Sequence, residues 1–160
     1  MYKFVLCIVL LCATTMYGFV CSQKLTKRKK SLRTICDGIV RAKSLITFGG
    51  YNISRVLQES FKEINLFNNI SDNMSDVFTD EFFVKVKRDL CFCDEDVEMF
   101  RGFSEVLGIT DTAGQIANCD LYYELMKKQL DSAEEKEKSS GRLYKILGFS
   151  LGLVITLMIV

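Results

Sequence analysis

Cys91-Phe92-Cys93 places two thiols two positions apart, the one spacing among the seven cysteines that could hold a metal or form a redox couple. On a helix such positions point about 200° apart, so the pair could chelate one ion only from a loop. Histidine is absent, which removes Ser–His and Cys–His dyads and the commonest general base. Three other cysteines, Cys7, Cys12 and Cys21, lie within or beside an apolar stretch. Cys36, Cys91, Cys93 and Cys119 are dispersed and read most simply as free thiols serving as small apolar side chains. The expected protein is therefore not an enzyme, with no catalytic residue, cofactor or metal. A thiol- or metal-dependent redox protein using Cys91 and Cys93 is the alternative.

The elements around these residues are dominated by two hydrophobic ends. Phe4 to Val20 is a run of roughly 17 uncharged residues, and Leu143 to Val160 gives roughly 18 if Lys145 reaches back to the headgroups. Both approach the length a helix needs to cross a bilayer. The expected organisation is a transmembrane helix over 1–22, a helical domain over 23–142 with a charged neck at 134–142, and a second transmembrane helix over 143–160.

Flanking charge sets the expected orientation. Only Lys3 precedes the first span, whereas Lys24, Lys27, Arg28, Lys29, Lys30 and Arg33 follow it. Lys and Arg are retained on the cytoplasmic side, so this basic cluster predicts a cytoplasmic middle domain, and Arg142 agrees. The same cluster suits anionic lipid headgroups better than nucleic acid, because no basic-aromatic module accompanies it. The rival reading is a cleaved secretory signal with Phe4 to Ala13 as its apolar core. An exported domain in a eukaryote would offer Asn52-Ile53-Ser54, Asn69-Ile70-Ser71 and Asn73-Met74-Ser75 for glycosylation.

About 120 residues remain between the spans, enough for one compact domain. Proline and tryptophan are absent, and hydrophobic periodicity favours helices. Leu32, Ile35, Ile39, Ala42, Leu45 and Ile46 continue the first span as a helix ending at Phe48-Gly49-Gly50. Asn52 then caps a helix carrying Ile53, Val56, Leu57 and Phe61. Ile64 to Phe67 reads as a further helical segment and Asn68 to Ser75 as a loop. Val77 to Asp89 predicts a helix bearing Phe78, Phe82, Phe83 and Val86, with strand as the alternative for Phe82 to Val86. Asp94, Glu95 and Asp96 open a helix whose apolar face is Val97, Phe100, Phe103, Val106 and Leu107, and Gly108 ends it.

Thr110-Asp111-Thr112 starts the last helix. Ile116, Cys119, Tyr123, Met126, Leu130 and Ala133 step by three and four as a heptad-like seam. The neck from Glu134 to Lys138 lacks a core face and is expected to stand free, with Gly141 as hinge. Unbroken from Thr112 to Val160, this helix would be about 73 Å long at 1.5 Å per residue. Gly148 and Gly152 form a small-xxx-small pair suited to close helix packing, either with the first span or with another protein.

The order Phe100-x-x-Phe103-x-x-x-Leu107-Gly108, Thr110-Asp111 and Gln115, then Leu143-Tyr144-Lys145-Ile146-Leu147-Gly148-Phe149-Ser150-Leu151-Gly152-Leu153, resembles the stage III sporulation protein AB family of endospore-forming bacteria. Ile46-x-Phe48-Gly49 agrees in outline, while the lack of proline near Asn52 and a short stretch from 65 to 89 depart from the family. The resemblance implies an all-α fold: a cytoplasmic bundle between two transmembrane helices, similar to a domain of the type II secretion inner-membrane platform protein. It further implies a scaffold in a secretion-like channel complex between mother cell and forespore, at the outer forespore membrane. Its partners would be other channel subunits, a secretion-type ATPase and membrane lipids, with no nucleic acid and no small-molecule substrate.

Overall fold

The structure is a computed structural model that describes residues 2–49, 51–64 and 78–159. Among these residues every regular element is an α-helix: α1 (Tyr2–Gly49), α2 (Ile53–Ser60), α3 (Asp80–Leu90), α4 (Asp94–Val106) and α5 (Thr112–Ile159). The fold is all-α, as periodicity predicts. The strand alternative for Phe82 to Val86 does not hold, since those residues are the interior of α3. The helical segment expected at Ile64 to Phe67 and the loop at Asn68 to Ser75 fall largely outside the described residues.

Local chemistry accounts for the helix ends. Thr79 caps α3 by accepting the Phe82 N–H, so Phe78 precedes the helix instead of riding on it. Cys91 ends α3 in the left-handed region at φ 56°, and the chain turns directly into α4. There the Asp96 carboxylate, fully buried, reaches back to the Cys93 N–H at 3.0 Å, half of a capping box. Gly108, at φ +83°, terminates the next turn after Val106. Asp111 accepts the Gly114 N–H at 2.9 Å and starts α5. Asn52 occupies the N-cap of α2 without a side-chain hydrogen bond.

The chain divides into two compact units. One takes the residues up to Lys29 and from Ser132 onward, and the other runs from Lys30 to Asp131. In the second unit Leu32, Ile35, Ile39 and Ala42 of α1 are buried with Val56 and Leu57 of α2. Phe83 and Val86 of α3, Val97, Phe100 and Phe103 of α4, and Cys119, Met126 and Leu130 of α5 complete this core. The expected seam on α5 is present, although Ile116 and Tyr123 are only half-buried.

Phe61 organises the middle of that core. Its ring packs edge-on against Phe100 and Phe103, with centroids 6.2 and 6.4 Å apart. Phe83 meets Phe100 at 6.4 Å and Tyr122 meets Phe103 at 5.9 Å, so the C-cap of α2 and the helices α3, α4 and α5 share one aromatic cluster. Each such pair contributes roughly 0.5–1.5 kcal/mol beyond its area. α1 joins through Gly38, where a Cβ would collide with the Phe61 ring. Exposed ion pairs, Arg41–Glu63 at 2.6 Å and Lys43–Asp120 at 2.6 Å, rim the contact and add little.

Gly38→Ala should therefore destabilise the chain by about 1–3 kcal/mol through overpacking. Adding Phe61→Leu should recover part of that loss, as read by thermal unfolding of the detergent-solubilised protein. Additive losses in the double variant would contradict the proposed contact.

Candidate functional site: a small-residue helix pair with a polar clasp

The first unit is built from the outer parts of α1 and α5. Each helix holds an 18-residue window apolar enough to cross a membrane, one within Ile8–Gly49 and one within Thr112–Met158. Only 11% and 12% of their most apolar windows are buried, unlike core helices of a soluble protein. Ile8, Val9, Met16, Tyr17, Phe19 and Val20 are exposed on α1, as are Leu147, Phe149, Leu151, Val154 and Leu157 on α5. Hydroxyls inside these stretches bond back to their own helix. Thr15 Oγ1 donates to the Leu11 carbonyl at 2.7 Å, and Thr156 Oγ1 to that of Gly152 at 2.8 Å. Such bonds satisfy polar groups where water is absent.

Gly148 and Gly152 face α1. A Cβ on Gly148 would lie 2.9 Å from the Thr14 carbonyl oxygen and 3.1 Å from Gly18 Cα. One on Gly152 would strike Thr14 Oγ1, and one on Gly18 the Tyr144 carbonyl oxygen. The two backbones thus touch where side chains are missing, and any larger residue would push the helices apart. The complementary surface on α1 is Thr14, Gly18, Ser22 and Thr26. Their spacing of four puts them on one ridge, a pattern visible in the sequence but overlooked beside the basic cluster that follows it.

Toward the charged side of the pair the contact turns polar. Lys29 Nζ donates to Glu137 Oε2 at 3.0 Å, and Thr26 Oγ1 donates to Glu137 Oε1 at 3.1 Å. Both carboxylate oxygens are thereby engaged. The Lys29 hydrogen bond is the main reason the Glu137 carboxyl is held below its ordinary value, against a smaller upward push from burial. Ser22 and Gly141 are buried beside one another, a Cβ on Gly141 lying 3.6 Å from Ser22 Oγ.

These contacts correct two expectations. The neck does not stand free, because Glu137 turns its carboxylate onto α1 while its charged neighbours Glu135, Lys136 and Lys138 are exposed. Gly141 is not a hinge either; α5 passes through it unbroken, and the glycine is used for packing.

The basic cluster is not uniform. Lys24, Lys27, Lys30 and Arg33 are exposed, Arg28 is buried and Lys29 is held by Glu137. Cys91 and Cys93 do occupy a loop, between α3 and α4, and both are half-buried. No group of three or more His, Cys, Asp or Glu side chains that could hold a metal occurs among the described residues. Cys36 and Cys119 are buried in the core, and burial, aided by Asp37 and Asp120 respectively, pushes each thiol up to about 11. At neutral pH both are protonated and poor nucleophiles.

The helix order and the two apolar ends can be set beside known proteins. Residues 3–160 match the Stage III sporulation protein AB (spore_III_AB) family. The chain belongs to that family. It is 23% identical over 170 aligned residues to the Stage III sporulation protein AB of Bacillus subtilis (strain 168), covering 99% of both chains. No solved structure matches it. Family membership supports a role in sporulation, and the resemblance carried by Phe100 to Gln115 and Leu143 to Leu153 is confirmed over nearly the whole chain.

The Lys29–Glu137 clasp makes stability pH-dependent with a defined sign. A depressed carboxyl value stabilises the fold fully above the ordinary glutamate value of 4.5, and the contribution disappears as pH falls through the depressed value. Glu137→Gln should lose about 0.5–1 kcal/mol at neutral pH. The gap between wild type and variant should close on acidification in an unfolding titration. A gap that stays constant across the carboxylate range would contradict the clasp.

Proposed function

We propose that this chain is a membrane-anchored scaffold of a sporulation channel complex, holding a helical domain in the mother-cell cytoplasm to dock partner subunits. The observation that carries this reading is the continuity of α1 and α5. Each runs 48 residues without a break, from a stretch suited to lipid into residues that build the helical core. Among the described residues the helical core is a packed aromatic cluster, and the two apolar helices pair with each other, which suits a protein that holds others in place.

Orientation follows from charge. The exposed Lys24, Lys27, Lys30 and Arg33 favour retention of the bundle on the cytoplasmic side. In this reading the location is the outer forespore membrane, and the partners are a secretion-type ATPase together with small channel subunits. The docking surface would lie on the helical core unit, since the apolar helices are committed to lipid and to each other.

Capture of the tagged full-length chain from gently solubilised sporulating cells should recover the ATPase or channel subunits. Protease added after the mother-cell membrane is opened, with the forespore membranes left intact, should digest the bundle. Repeated recovery of neither partner, or a bundle that stays protected in that assay, would contradict this function.

A further inference from the structure

Where the helix pair passes from apolar to charged, the first unit holds an open-sided groove of about 520 Å³, lined by Ser22, Thr26, Glu137, Lys138, Gly141 and Arg142. That volume lies within the range of small-ligand sites, roughly 300–1,000 Å³. Its walls come from residues more than a hundred positions apart in sequence. Ser22 lies just beyond the apolar run of α1, and Arg142 just before that of α5. If both helices span, the groove is at headgroup level.

Its chemistry favours an anion. Lys138 and Arg142 are exposed at its edge and enter no salt bridge among the described residues. The carboxylate in the lining, Glu137, is already neutralised by Lys29 and occupied by Thr26. The wall therefore carries two cations outside any salt bridge, Lys138 feeling the Glu137 charge only at longer range. Bare backbone at Gly141 and the hydroxyls of Ser22 and Thr26 add small polar surface. Arg presents a planar fork that pairs with phosphate oxygens through two hydrogen bonds, and Lys adds a mobile point charge.

We propose that this groove binds the phosphate of an anionic phospholipid, its acyl chains lying along the exposed apolar faces of α1 and α5. The source is lipid instead of soluble phosphate because the apolar residues begin immediately beside the cations. The proposal rests on the membrane reading above. Bound lipid would brace the helix pair beside Ser22 and Gly141, adding an electrostatic attachment to the glycine contact.

The full-length chain in mild detergent, studied by native mass spectrometry, provides the test. Phosphatidylglycerol should be retained roughly tenfold better than phosphatidylcholine of the same chains, and Lys138→Gln/Arg142→Gln should remove that preference. Lys62→Gln/Lys85→Gln, exposed lysines in the other unit, should leave it unchanged. Equal retention of the two lipids, or a preference that survives Lys138→Gln/Arg142→Gln, would overturn the site. Inorganic phosphate competing as well as the lipid would overturn it in favour of a soluble anion. An alkaline carbonate wash separates the two readings: release of the chain from membranes would overturn the membrane assignment itself, whereas retention with no lipid preference would overturn the groove alone.

Discussion

Close contact between α1 and α5 over bare backbone is the constraint on which the membrane-fit unit depends. Helices in lipid gain nothing from burying apolar surface against each other, because lipid tails are just as apolar. What remains is van der Waals contact and hydrogen bonding, and both need the backbones near each other. Gly18, Gly148 and Gly152 provide that approach by having no Cβ in the way. Thr14 supplies the facing surface while spending its hydroxyl on its own helix, at 3.0 Å to the Leu11 carbonyl. Past the apolar stretch, contact becomes electrostatic at Lys29 and Glu137. One ridge of small residues thus serves two environments, and the neck charge ceases to be a solvated spacer.

The helical core uses the same device with a different filling. Gly38 leaves room on α1, and Phe61 occupies it. Around that ring, aromatic side chains from three helices interlock, which defines one arrangement more sharply than an aliphatic core of equal volume would. The buried cysteines belong to this packing. Their raised thiol values and apolar surroundings suit small core side chains, so thiol chemistry is not what the core is built for.

Much of this architecture was legible beforehand because helical periodicity and glycine punctuation are local signals. The end of α1 at Gly49, the opening of α4 at Asp94 and the α5 seam through Cys119, Met126 and Leu130 all follow from residues a few positions apart. Gly148 and Gly152 announced a close contact, but their partner could not be chosen from one helix alone. The Thr14-Gly18-Ser22-Thr26 ridge was readable too, yet hydropathy and charge drew attention away from it. Glu137 escapes a local reading for a physical reason: the lysine that it meets, Lys29, lies more than a hundred residues away in the sequence. Phe61 against Gly38 is likewise a long-range fit that no local pattern encodes.

The most direct measurement of the central contact is disulfide trapping in native membranes. With Cys7, Cys12 and Cys21 replaced by serine, Ser22→Cys and Gly141→Cys should oxidise to an intramolecular bridge, since the Gly141 Cβ position lies 3.6 Å from Ser22 Oγ. The bridge should keep the two ends of the chain joined after protease cuts the polypeptide between them. Failure to form it under mild oxidation, or formation only between separate chains, would contradict a helix pair closed within one molecule.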